Sequence, residues 1–203
     1  MRLFVALDIA AEIRERIARF LADTRKLAPD ARWVNPEAFH VTLKFVGEKS
    51  PEAMEAIKRA LAGVQSPPTA IAFGGAGFFP NARAARVFWA GITADANLAA
   101  LAAMVDKVLS ALKIPGEDHA FTPHLTLARG GDRRHPRGGS GKPQWQAGDA
   151  PRADFRRLQE HLAASPAPDF GAMTATEFFL FESKLSPRGA EYAKLASYPL
   201  QTR

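Results

Sequence analysis

The tetrad His40-Val41-Thr42-Leu43 recurs 84 positions later as His124-Leu125-Thr126-Leu127, and no other feature constrains the chain as strongly. Both copies lie in strand-like apolar runs. In an extended strand side chains alternate between faces, so His and Thr at i and i+2 share a face, roughly 7 Å apart. The intervening Val41 and Leu43, or Leu125 and Leu127, then point into a core. Each copy offers one imidazole and one hydroxyl on a rigid surface. Two copies in facing lobes place two histidines and two threonines around one cleft.

The rest of the chain is consistent with such a frame. Residues 2–9 read as a buried strand, and 11–27 as an amphipathic helix with Ile13, Ile17, Phe20, Leu21 and Leu27 at helical spacing, ended by Pro29. A strand is predicted over 38–46, closed by Gly47. Ser50-Pro51 supplies an N-cap and a first-turn proline for a helix near 51–64. Strands follow at 69–74 and 86–92, separated by the Gly/Pro-rich segment 74–80. Asp95 caps a long Ala/Leu helix that Pro115-Gly116 breaks, and Pro123 leads into a short strand over 124–128. A helix is predicted over 152–163. Residues 174–199 read as two strands around Ser186-Pro187-Arg188-Gly189, which has turn chemistry. The irregular alternation and the hairpins favour an α+β fold with antiparallel sheet over a doubly wound one. Residues 130–143 hold five glycines, two prolines and four basic side chains and cannot bury a core, so they are expected to form a mobile Arg/Gly-rich loop.

Composition removes whole classes. The 203 residues include no cysteine, which excludes a disulfide-stapled scaffold, a thiol nucleophile, a Cys-ligated zinc and an iron–sulfur cluster. No apolar run reaches the ~18 residues of a membrane span. The first residues meet an acid at Asp8 and lack a cleavage pattern, so they are not expected to be a signal peptide. A soluble, cytoplasmic protein follows as an expectation. Lys and Arg outnumber Asp and Glu by 27 to 21, giving +6. That excess favours phosphate-bearing partners, although a solvated surface carries such a charge equally well.

The paired tetrads suit one reaction. Cleaving a phosphodiester without a metal needs a base to activate the nucleophile and an acid to protonate the leaving oxygen. Histidine, with a pKa near ~6.5, serves in either role at neutral pH. Charge grows on the phosphoryl oxygens in the transition state, and threonine hydroxyls fixed on strands meet it with little freedom to lose. One His-x-Thr alone is more often a hydrogen-bonded, partly buried histidine; duplication in matched apolar context reverses that balance. A two-histidine metal site lacks a third ligand at a plausible spacing, and no carboxylate cluster neighbours either motif.

With these residues in view, the chain resembles the 2H phosphoesterase superfamily. Arg2-Leu3-Phe4-Val5-Ala6-Leu7, the run Phe39 to Glu48, the run Phe121 to Arg129, and the tail Phe181 to Tyr192 are similar to the bacterial and archaeal RNA 2′,3′-cyclic phosphodiesterases, first described as 2′-5′ RNA ligases. The basic stretch at 130–143 departs from the family in length and charge. The resemblance implies one bilobal domain over residues 1–203, with pseudo-twofold symmetry and a cleft between two antiparallel sheets. It implies opening of a terminal 2′,3′-cyclic phosphate to a 2′-phosphate, without metal or cofactor, with 2′-5′ ligation as the reverse reaction. His40 would donate the proton to the leaving 3′ oxygen and His124 would activate water; the residues alone do not orient the pair. Thr42, Thr126 and Arg129 would hold the phosphate.

Strict alternation turns Arg129 away from His124, so it reaches the phosphate only if the strand ends or bulges near Ala128. Lys44 has the parity to join His40 and Thr42, and its stem reaches solvent equally well. His119, His135 and His161 read as non-catalytic. Arg133, Arg134 and Arg137 either grip an RNA backbone or form a solvated charge run. Phe45, Phe78, Phe79 and Trp89 are candidates for stacking on a terminal base, though most such aromatics are core. The expected partner is RNA ending in a 2′,3′-cyclic phosphate, tRNA fragments included, bound by a monomer that needs no membrane. The alternatives are another 2H activity, on 2′-5′ oligonucleotides or small cyclic nucleotides, and a non-catalytic RNA-binding module.

Overall fold

The computed structural model describes residues 1–116, 120–130, 155–186 and 189–201. Of the loop expected at 130–143, all but Gly130 lies outside the described residues, Arg133, Arg134, His135 and Arg137 included, as does His119.

In chain order the described elements are β1 (Arg2–Asp8), α1 (Ala11–Thr24), β2 (Arg32–Trp33), β3 (His40–Glu48), α2 (Pro51–Ala62), β4 (Thr69–Phe79), β5 (Val87–Ala94), α3 (Ala96–Ser110), β6 (His124–Arg129), α4 (Arg156–Ala163), β7 (Asp169–Ala175), β8 (Glu177–Ser186) and β9 (Gly189–Pro199). They build two antiparallel sheets, ordered β3-β1-β8-β9 and β2-β6-β5-β4-β7. With the two-residue β2 set aside, the sheets repeat one plan. Each His-x-Thr strand pairs with the strand that precedes it through a helix, β1-α1-β3 in one half and β5-α3-β6 in the other. The β8–β9 hairpin returns from the C-terminal end to complete the first sheet. The α+β, pseudo-twofold architecture expected from the sequence is therefore the one observed.

One main core spans both halves. It takes Leu3, Val5 and Leu7 from β1, Phe88 and Ala90 from β5, Leu125 and Leu127 from β6, and the apolar stripes of α1 and α3. Each such fully buried Leu or Ile contributes about 1.5–3 kcal/mol. A second, smaller cluster of Phe4, Ala6, Phe179 and Phe181 covers the opposite face of the first sheet, with Tyr192 packed against it. This explains the nearly continuous apolar run Leu3–Leu7, since β1 is buried on both sides.

Several boundaries differ from the sequence reading. Gly47 does not close β3: it sits inside the strand at φ 83°, a conformation open to glycine, and β3 continues to Glu48. The glycine-rich stretch read as a separator belongs to β4, which runs on to Phe79. Pairing with β5 slips between Phe73 and Ala76, so Gly74 and Gly75 form a bulge rather than a break. β2 and β7 were not anticipated. The caps were: Ser50 Oγ accepts the Ala53 N–H at 3.3 Å and Asp95 Oδ1 that of Asn97 at 3.0 Å.

Candidate active site

His40 begins β3 and His124 begins β6, and the two imidazoles are anchored alike. Nδ1 of His40 lies 2.8 Å from the Ala38 carbonyl, and Nδ1 of His124 lies 2.8 Å from the Thr122 carbonyl. A carbonyl only accepts, so each Nδ1 carries its hydrogen and each Nε2 is left for other chemistry. Thr42 and Thr126 follow on the same faces as their histidines and are partly exposed. β3 and β6 are in direct contact, which brings the two tetrads together where the halves meet.

Each His-x-Thr strand bulges immediately after its threonine. On β3, Thr42 pairs with Ala6 and Lys44 with Val5, leaving Leu43 as the extra residue. On β6, Thr126 pairs with Trp89 and Ala128 with Phe88, leaving Leu127 extra. Two consecutive side chains therefore enter the core at each bulge, Leu43 with Lys44 and Leu127 with Ala128, and all four are buried. The next residue returns to the face of the histidine. Arg129 meets in this way the condition that strict alternation denied it. Its counterpart in the first half is Phe45, 57% exposed.

Lys44 is correspondingly not a cleft residue. Its side chain is 1% exposed, and its Nζ lies 2.6 Å from Asp106 Oδ1 of α3 and 2.6 Å from the Pro115 carbonyl. The bulge turned it inward.

Aromatic rings pack around both imidazoles. Phe4 lies 4.7 Å from His40 and Tyr192 meets it edge-on at 5.0 Å, while Phe79 meets His124 edge-on at 4.9 Å. Phe78, by contrast, packs on Phe88 and Phe155, and its stacking role falls away. Trp89 lies across β4 at Gly77, where a methyl group would stand 2.3 Å from the indole. Gly77→Ala should therefore lower stability by about 1–3 kcal/mol through overpacking, read as a drop in melting temperature of several degrees. An unchanged Tm would mean that the ring moves freely.

Burial pushes the His40 imidazole from 6.5 down to about 4, and the positive charge of Arg129 and the neighbouring His124 act in the same direction; the Ala38 carbonyl and Asp8 oppose it. His40 is thus neutral in the free protein. Burial also lowers Arg129, as do Arg32 and Arg2, against an opposing contribution from Tyr192. The Tyr192 hydroxyl is raised by burial, with Arg129 and Arg2 opposing, so it stays protonated at neutral pH. Among the described residues no group of three His, Cys, Asp or Glu side chains is placed to hold a metal ion. His161 lies exposed on α4 and takes no part in the site.

The LigT like Phosphoesterase family model matches residues 7–89. The RNA 2′,3′-cyclic phosphodiesterase of Archaeoglobus fulgidus is 33% identical over 96% of this chain and 98% of its own length. The chain belongs to the LigT-like phosphoesterase family. The Geobacillus stearothermophilus protein of the same name is 30% identical over 97% of this chain, which spans 56% of that longer relative. The crystal structure of E. coli LigT complexed with 3′-AMP matches with TM-score 0.74 and 26% identity, covering 99% of this chain and 98% of that one.

The two halves of this LigT-like phosphoesterase differ in what stands opposite each histidine. Register places Asp8 across from His40 but Gly91 across from His124. Asp8 Oδ1 is 2.9 Å from Arg14 Nη2, and Oδ2 is 2.6 Å from Lys194 Nζ. Arg14 also donates to the carbonyls of Ile9 and Pro36. Pro36 opens the short turn whose Ala38 carbonyl anchors His40, so Arg14 ties the carboxylate and the anchor to one helix. The sequence reading had no role for Asp8, Arg14 or Tyr192. Tyr192 alone left a trace there, as part of the tail motif.

Proposed function

We propose that the chain hydrolyses the terminal 2′,3′-cyclic phosphate of RNA to a 2′-phosphomonoester without a metal. The observation that carries this reading is the matched anchoring of two imidazoles through Nδ1, which leaves two Nε2 atoms to exchange protons in one cleft. Water attacks phosphorus as His124 Nε2 takes its proton. The bond from phosphorus to the 3′ oxygen breaks as His40 Nε2 gives that oxygen a proton. Thr42, Thr126 and Arg129 hold the phosphoryl oxygens through the transition state. The curated relatives carry the name of this activity, which supports the substrate class. With a 5′-hydroxyl in place of water the same displacement, with the 3′ oxygen leaving, gives a 2′-5′ linkage.

The difference between Asp8 and Gly91 supports assigning the acid to His40. Its imidazolium has a carboxylate opposite it, and a bound phosphate anion adds a second negative charge that favours protonation against the burial and the Arg129 charge that keep His40 neutral in the free protein. Asp8 raises the His40 pKa, so Asp8→Asn should lower it. The alkaline limb of the kcat profile then moves to lower pH. A limb that stays in place would assign the acid elsewhere.

The test of the function is an RNA oligonucleotide ending in a 2′,3′-cyclic phosphate. After incubation its terminal phosphate should become removable by a phosphomonoesterase. A terminus that stays resistant, with 2′-5′ oligonucleotides or small cyclic nucleotides cleaved instead, would replace the substrate. Binding with no turnover of any of them would make the chain an RNA-binding module.

A further inference from the structure

Three arginines lie on the histidine-bearing faces of the two sheets. Arg2 lies two residues before Phe4 on β1 and so on the same face as Phe4 and Ala6, the face that carries His40. Arg32 pairs directly with Arg129 across β2 and β6, while the next pair, Trp33 with Ala128, turns to the core, where Trp33 meets Phe88 edge-on at 5.9 Å. Arg32 therefore shares the face of Arg129. Arg2 and Arg32 are exposed. Both Arg2 and Arg32 repel the Arg129 guanidinium.

The nearby carboxylates are engaged elsewhere. Asp8 pairs with Arg14 and Lys194, Glu182 lies 3.5 Å from Lys184, and Glu48, opposite Arg2, lies 3.5 Å from the N-terminal amine. Among the described residues Arg2, Arg32 and Arg129 have no ion pair. Like charges gathered without a counter-charge cost stability unless an anion joins them. A terminal cyclic phosphate carries one negative charge, and the reading above already gives it Arg129 and two threonines. Arg32 lies one strand beyond Arg129, on the edge strand β2. At ~3.3 Å per residue, Arg2 stands about 13 Å along β1 from Ala6, the partner of Thr42.

We propose that Arg2 and Arg32 form a second anion subsite, which takes the phosphodiester one nucleotide upstream of the terminal cyclic phosphate. The substrate class is then an oligoribonucleotide, and a mononucleotide lacks the group this subsite binds. This inference rests on the function proposed above.

The test is the double variant Arg2→Gln, Arg32→Gln with two substrates, a nucleoside 2′,3′-cyclic phosphate and a four-nucleotide RNA with the same end. For the RNA, kcat/KM should fall at least about tenfold, and its dependence on log salt should flatten by about 0.7, the value expected for one neutralised phosphate of a single strand. Turnover of the nucleoside should be unchanged within about twofold. Equal losses on both substrates, or no loss on the RNA, would overturn the subsite. A binding arm uses a four-nucleotide RNA ending in a 2′-phosphate, followed by fluorescence anisotropy. Should the wild-type protein turn over neither substrate, the proposed activity fails, and this arm still decides the subsite. Weaker binding by at least about tenfold with a shallower salt slope supports it, and equal binding overturns it.

Discussion

Alanine at His40 or at His124 is expected to lower kcat about 10²–10⁴-fold while RNA binding stays close to wild type. Each imidazole has Nδ1 committed to a carbonyl, and the proposed mechanism assigns the proton transfer to Nε2. Truncation removes a proton carrier without disturbing the apolar residues on either side. Val41, Leu43, Leu125 and Leu127 keep their places in the core, so the strands persist. The double variant should lose little beyond the worse single variant, because in the proposed mechanism acid and base act in one step and their losses do not add. Rapid-quench turnover against binding by anisotropy separates the effects. Near wild-type kcat in either single variant would remove the paired-histidine mechanism.

Lys44→Ala is expected to cost about 2–5 kcal/mol, which for a chain of this size lowers the melting temperature by roughly 2–4 °C per kcal/mol. The lysine joins β3 of the first half to α3 and the Pro115 carbonyl of the second. Its truncation leaves a cavity at the contact between halves and takes a cation from Asp106. Lys44→Met keeps most of the volume, and Asp106, 35% exposed, can turn to water. Buried ion pairs are often replaced by apolar groups at little cost, so methionine should restore most of the stability. Calorimetry of the three proteins checks this. A methionine variant as unstable as the alanine variant would show that charge, not packing, holds the halves together.

The sequence made the repeated tetrads legible because both strands alternate strictly from His to the following Leu. It did not reveal what comes next, because a bulge adds one residue without altering any residue type. On β3 that extra residue carries Lys44 from the predicted cleft face into the core; on β6 it brings Arg129 back to the face of His124. The same slip has opposite consequences for the two readings. The glycines of β4 have the composition of a separator, whereas in the fold Gly77 lets Trp89 lie across the strand and Gly74-Gly75 absorb a bulge. Asp8 was invisible as a partner of His40 because their pairing depends on register between strands separated by a helix. Arg2 and Arg32 became neighbours of Arg129 only through strand pairing of the same kind.

The most direct measurement is turnover of a nucleoside 2′,3′-cyclic phosphate by the wild-type protein in excess EDTA, with the product isomer identified by phosphorus NMR. The paired-histidine account predicts undiminished turnover and a single product, the 2′-phosphomonoester. Loss of activity under chelation with recovery on adding a divalent metal, or formation of the 3′-phosphomonoester, would contradict it.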